Sequence, residues 1–153
     1  MIISIKKLKK AIFIVMTAVI VGVATLIFFS FENKNQQLSE QIYTDNYSKI
    51  SFLNLCGWKV EENPIEEQEI IIPEKFNETF KQYNELQKLQ GYDLSRYKGK
   101  QAVKYTYEVT NYPNYMENIR AVLLVIDGKI IGGDIHSAEL NGFMTGLNDE
   151  TLF

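Results

Sequence analysis

Two patterns of apolar residues divide the chain. Residues 11–31 read AIFIVMTAVIVGVATLIFFSF, 21 positions without a charge, of which only Thr17, Gly22, Thr25 and Ser30 are not strongly apolar. A helix of that length spans about 30 Å, the thickness of a bilayer's hydrocarbon core, and satisfies its own backbone hydrogen bonds, as lipid requires. After a polar stretch at 32–41 the apolar residues return at shorter periods. Residues 43–56 predict a helix with Ile42, Ile50 and Leu53 on one side, Tyr43 and Tyr47 at its edge and Gly57 as its cap. Trp58-Lys59-Val60 looks extended, Glu61-Glu62-Asn63-Pro64 is a turn signal, and the β-branched run at 69–72 predicts a strand. Pro73 is expected to stop that strand and begin a helix whose inward face is Phe76, Phe80, Tyr83, Leu86 and Leu89, with Glu78, Lys81, Glu85 and Lys88 opposite and Gly91 at its end.

Residues 101–109 alternate, with Val103, Tyr105, Tyr107 and Val109 facing one way and Lys104, Thr106 and Glu108 the other. The run at 121–126 (AVLLVI) is apolar at both parities, the signature of a strand covered on both faces. Asp127-Gly128 separates it from Lys129-Ile130-Ile131 and predicts a tight hairpin. Asp134-Ile135-His136 continues the returning strand, and the tail from Phe143 to Leu147 is expected to dock on the core. The order is α-β-β-α-β-β-β. Strands joined by short turns imply an α+β domain, an antiparallel sheet with helices on one face.

Charge changes the picture by adding an orientation. Lys6, Lys7, Lys9 and Lys10 precede the apolar run, which is bounded by Ala11 and Phe31. The rest of the chain holds 12 Lys and Arg (16 less those four) against 19 Asp and Glu, a balance of −7. The positive-inside rule therefore places a basic tail (1–10) in the cytoplasm, a transmembrane helix at 11–31, a linker at 32–41 and an extracytoplasmic domain at 42–153. A cleaved signal peptide would have a shorter apolar region followed by small residues at the cut. The expected location is the cell membrane, as a single-pass protein with its C-terminal domain outside. An acidic domain is poorly suited to nucleic acid.

Candidate chemistry is sparse. Cys56 is the single cysteine, which excludes an intramolecular disulfide and a cysteine-based metal site. His136 is the single histidine, with Asp134 two residues before it on the same strand face and Ser137 on the other. A hydrolase built on His136 and Asp134 needs a nucleophile that Ser137 cannot be from a regular strand; the alternative is a strand histidine on the solvent face. Glu61, Glu62, Glu66, Glu67 and Glu69 cluster without the glycine-turned loop of a calcium site and suit a charged sheet edge that deters aggregation. Six of nine tyrosines lie at 92–115. Tyr105 and Tyr107 suit a half-buried strand, whereas Tyr112 and Tyr115, in a turn, are candidate binding residues for a protein, peptide or glycan. Gly132-Gly133 inside a strand points to a bulge or close backbone packing. No catalytic set, metal site or cofactor is expected.

Several short segments carry a resemblance through their order and spacing. They are Phe52-Leu53, Gly57-Trp58, Ile72-Pro73, Leu86-Gln87, Gly91-Tyr92-Asp93-Leu94-Ser95 and Tyr97-Lys98-Gly99-Lys100. They continue with Tyr105-Thr106-Tyr107, Asn111-Tyr112-Pro113, Ile131-Gly132-Gly133-Asp134 and Gly142-Phe143-Met144. Over roughly residues 50–147 the chain resembles a bacterial family met mostly in Firmicutes, domain of unknown function 4830. The resemblance implies an N-terminal tether and a Gram-positive envelope location, and brings no activity, cofactor or catalytic residue. The expectation is a membrane-anchored interaction or sensing module, meeting an envelope protein, a peptide or a wall glycan.

Overall fold

The computed structural model describes residues 42–113 and 118–148, together with residues 16, 20–23, 25 and 26. Contacts divide the chain into two units, Met1–Leu38 and Ser39–Phe153. In the first, the described positions are helical and exposed. Among the described residues no helix is long and apolar enough to cross a membrane. Most of the span expected at 11–31, the basic tail and the linker lie outside the described residues.

The second unit contains α1 (Asn46–Leu55), β1 (Glu66–Ile71), α2 (Glu78–Leu89), a 3₁₀ turn (Leu94–Tyr97), β2 (Gln101–Glu108), β3 (Ile119–Ile126), β4 (Lys129–Ser137) and β5 (Met144–Thr145). All strands form one antiparallel sheet in the order β1-β2-β3-β4-β5. The α+β class and the antiparallel sheet stand; the element order differs from expectation at two places. The segment at Trp58-Lys59-Val60 makes a single bridge, Val60 to Val109, and not a strand. The tail supplies the missing strand as β5, and Leu147 beyond it is fully buried.

Helix boundaries follow local chemistry. The Asp45 carboxylate accepts from Ser48 N (2.6 Å) and the Asn77 side chain from Phe80 N (2.8 Å), so each caps free N–H groups of the first turn. At the C-termini Trp58 N donates to Leu53 O and Tyr92 N to Gln87 O, with Gly57 and Gly91 at φ 94° and 86°. These are two Schellman ends, closed by the glycines that the sequence marks. Pro73 does not begin a helix. Asn77 does, because its side chain can replace a lost backbone acceptor and proline's cannot. Phe76 therefore sits in the loop and packs on the core from there.

Helices cover both faces of the sheet, against the one-face expectation. Cross-strand register puts Ala102, Val122 and Leu124 on one face, where they join Ile72, Leu94 and Ile131 beneath Phe76, Phe80 and Tyr83. Tyr105 and Tyr107 point the other way, toward α1: the Tyr107 hydroxyl donates to Asn46 Oδ1 (2.8 Å), and the buried Lys49 ammonium sits 4.2 Å from the Tyr105 ring centroid. Burial pushes the Lys49 pKa down, an effect that Glu67 and Asp45 oppose. Tyr43, Phe52, Leu53 and Trp58 fill this second core, whereas Ile42 and Tyr47, expected near it, are exposed.

The inward face of α2 is more polar than its pattern suggests. Leu89 is 86% exposed, while Asn84 and Gln87 are buried. Asn84 Oδ1 accepts from Leu94 N (2.7 Å) and its Nδ2 donates to Asp93 (3.1 Å), which staples the 3₁₀ turn to the helix. Gln87 acts as a substitute strand: its Oε1 accepts from Gly133 N (2.8 Å) and its Nε2 donates to Gly133 O (3.0 Å). Gln90 Nε2 donates to the same carbonyl (3.1 Å) and Gln90 Oε1 accepts from Leu147 N (2.6 Å). Since β5 pairs only with Ile135 and His136, these two amides close the part of the β4 edge that β5 does not reach.

Asp93 gives this region a pH dependence. Hydrogen bonds from Ser95 and Asn84 hold its carboxyl down at about 2. A depressed folded pKa means that stability is fully present above the unfolded value near 3.9 and is lost as pH falls from about 4 toward 2. After allowance for solvent screening the contribution is about 1–2 kcal/mol. Asp93→Asn is expected to flatten the acid limb of a stability–pH curve below pH 4 by that amount; an unchanged limb would place the acid sensitivity elsewhere.

Candidate functional site

The face of the sheet that α2 half covers continues beyond the helix as a polar row. Glu108 on β2, Arg120 on β3, His136 on β4 and Met144 on β5 stand directly opposite one another in register. Thr106, Val122 and Asp134 form the next row inward, under Tyr83 of α2. Alternation along each strand puts these side chains on one face; antiparallel pairing brings them side by side.

Asp134 is 2% exposed, a costly place for a carboxylate unless both oxygens are engaged. They are: the Tyr83 hydroxyl donates to Oδ2 (2.8 Å) and His136 Nδ1 lies 2.7 Å from Oδ1. Burial first, then the charge of Asp134, drives the Tyr83 pKa far above the ordinary phenol value, so this hydroxyl stays a donor. The contact suits donation from Nδ1–H to the carboxylate oxygen, the tautomer in which Nε2 faces outward as an acceptor. His136 is 26% exposed in its side chain, so the ring is half-buried and does not project alone into solvent.

Arg120 lies beside it with its side chain 18% exposed. Its Nη1 is 3.2 Å from Glu108 Oε1, close enough for an ion pair but not aligned as a hydrogen bond, and this buried nitrogen has no hydrogen-bond acceptor among the described residues. Lys104 and Glu66 pair at 2.8 Å on the same face. The row thus offers a fixed imidazole acceptor beside a guanidinium with donor capacity to spare. Among the described residues no hydroxyl or thiol is hydrogen-bonded to His136, and no group of three His, Cys, Asp or Glu could hold a metal.

Sequence parity alone brings Asp134 and His136 together. It places Tyr83 in the core and does not bring Arg120 or Glu108 to the site. One signal was present: Arg120 precedes an apolar run at the parity of Val122 and Leu124, a charge on an inward-facing position. Ser137 lies on the opposite parity, and its hydroxyl accepts from Glu139 N (3.2 Å).

The other candidates fall elsewhere. Tyr112 is half-buried between Trp58 (centroids 5.8 Å, planes 7° apart) and Phe143 (5.0 Å, 27°), a stack that seals the indole whose Nε1 donates to Leu147 O. Tyr115 lies outside the described residues. Glu66, Glu67 and Glu69 lie on edge strand β1, with Glu61 and Glu62 in the loop before it. Cys56 is a half-buried thiol pushed up by burial to about 12, which leaves it unreactive. Gly132 and Gly133 are packing glycines beside a bulge: Leu124 pairs with Gly132 and Val125 with Ile130, leaving Ile131 extra. A side chain on Gly132 would meet Gln87 Oε1 at 2.7 Å.

No curated protein and no solved structure matches the chain. A family model does, over residues 52–135, which run from the α1 core residue Phe52 to Ile135 beside the imidazole and take in Gln87, Gly133, Tyr83 and Asp134. The match covers more than half of the sequence, and the chain belongs to the family described as domain of unknown function (DUF4830).

Proposed function

We propose that this protein is a membrane-anchored extracytoplasmic interaction or sensing module, tethered by residues 11–31, that reads its ligand on the Glu108–Arg120–His136 row. The observation that carries the proposal is the relay from Tyr83 through buried Asp134 to half-exposed His136, which fixes one imidazole orientation before any ligand arrives. Such preorganisation removes an ordering cost from binding. A ligand offering a donor to Nε2 and an acceptor to Arg120 would match, as amide and hydroxyl groups of a peptide or wall glycan do. The tether would raise the effective concentration for a partner on the same surface. Tyr112 and Tyr115 are a second contact in this proposal.

Full-length protein in lipid nanodiscs, titrated with soluble muropeptides and with a control peptide while the His136 ring is followed by NMR, tests the site. Asp134→Asn presents an amide N–H to Nδ1 and favours the opposite tautomer, so both Asp134→Asn and His136→Ala are expected to weaken binding at least about tenfold. Binding by both variants at wild-type strength would remove the row from the proposal. For topology, protease added to intact protoplasts is expected to digest residues 32–153; their survival until the membrane is breached would reverse the orientation.

The 2.7 Å Asp134–His136 contact also favours a second reading, a cell-envelope hydrolase in which His136 is the general base. The attacking group would then be a water. Mass spectrometry of the recovered ligand separates the two: cleavage lost by a factor of about 10²–10⁴ in His136→Ala supports the hydrolase, whereas ligand returned intact supports recognition.

A further inference from the structure

The two edges of the sheet are treated differently. At the β4–β5 edge, Gln87 and Gln90 spend side-chain amides on Gly133 and Leu147. At the other edge, β1 is a six-residue strand without proline, paired among the described residues only to β2 and exposed at every position but Ile70. Ile72 N donates to Lys100 O, and pairing alternates along an antiparallel ladder, so the backbone groups of Glu67, Glu69 and Ile71 turn away from β2. Their side chains share one face, and Ile71 is 70% exposed. Lys49, the nearby cation, is buried against the Tyr105 ring and its charge acts on Glu67, while Glu69 accepts from Gln101 Nε2 (2.8 Å), a neutral partner that leaves the rim acidic.

We propose that β1 is a strand-addition site for an extended segment of a partner protein, carrying Lys or Arg opposite Glu67 and Glu69 and an apolar residue against Ile71. Backbone bonds to the outward groups would supply affinity and the alternate side chains specificity. Charge selects the occupant. In antiparallel pairing of two copies centred on Glu69, that carboxylate meets its own symmetry mate, and like charges directly opposite destabilise a sheet. A basic strand turns the same positions into attractive pairs. The surface is separate from the His136 row, so either proposal can fail alone.

The probe is a synthetic peptide alternating lysine with threonine and ending in valine, added to the full-length protein in nanodiscs. The expected result is hydrogen-exchange protection of the Glu67, Glu69 and Ile71 amides, abolished when alternate peptide nitrogens are methylated. The double variant Glu67→Lys with Glu69→Lys should bind this peptide about tenfold less tightly and gain affinity for its glutamate counterpart, as reversal of two cross-strand pairs predicts. Binding that survives methylation, or that protects none of these amides, would overturn the proposal by showing only diffuse charge attraction. Concentration-dependent dimerisation through the same amides would overturn the choice of occupant.

Discussion

Gly133→Ala is expected to destabilise the sheet domain by about 3 kcal/mol, lowering its melting temperature by about 10–15 °C. The reason is steric. A Cβ at this position would overlap the Val122 carbonyl oxygen and lie 2.7 Å from Leu147 Cδ1. Val122 belongs to β3, the central strand, and Leu147 is fully buried at the end of the tail. Relief therefore requires parting β3 from β4 and also displacing the tail, and the latter breaks the Trp58 Nε1 bond to Leu147 O. Gly91→Ala is the control. Nothing lies within 4 Å of its added Cβ, and only its φ of +86° opposes the change, a cost of about 1–2 kcal/mol. Urea unfolding of the two variants should separate them clearly; a loss below about 1 kcal/mol for Gly133→Ala would mean that the strands are not in close contact there.

A long-range contact of this kind leaves little trace in the sequence, whereas a local backbone requirement does. Asp127-Gly128 announces its hairpin because both residues must take positive φ, and they do, at 50° and 73°. Gly57 and Gly91 mark helix ends for the same local reason. The apolar run of β3 signals cover on both faces but not which helix takes which face, because the face α1 chooses is settled by contacts such as Tyr107 to Asn46, 61 positions apart. On the inward side of α2 hydrophobicity and burial part company. Gln87 and Asn84 are buried because they satisfy backbone groups of Gly133 and Leu94, and no periodicity of apolar residues can register such a bond. The candidate site divides likewise. Asp134 and His136 are neighbours by strand parity, whereas Tyr83 and Arg120 reach them from other elements.

Replacing Gln87 tests the bond that holds α2 to the sheet, and with it the placement of Tyr83 over Asp134. Gln87→Leu keeps the volume roughly constant and removes both contacts to Gly133. The carbonyl retains Gln90, but the amide loses its acceptor in a buried setting, so the expected cost is about 3 kcal/mol, from one unsatisfied donor and one lost bond. Gln87→Glu discriminates further. A carboxylate there can accept from Gly133 N but cannot donate to Gly133 O, and Gln87 is 0% exposed. The acid must therefore stay protonated in the folded state, which raises its folded pKa above the unfolded value near 4.3. Below that value both states hold the proton and the variant keeps most of its stability. Above it the unfolded chain ionises while the folded one does not, and stability is expected to fall by about 1.4 kcal/mol for each pH unit until the folded group titrates. The leucine variant has no such slope. A flat profile for Gln87→Glu between pH 4 and pH 6 would show the carboxylate reaching water, hence α2 lifting from β4, and Tyr83 could then no longer hold Asp134 and, through it, the imidazole.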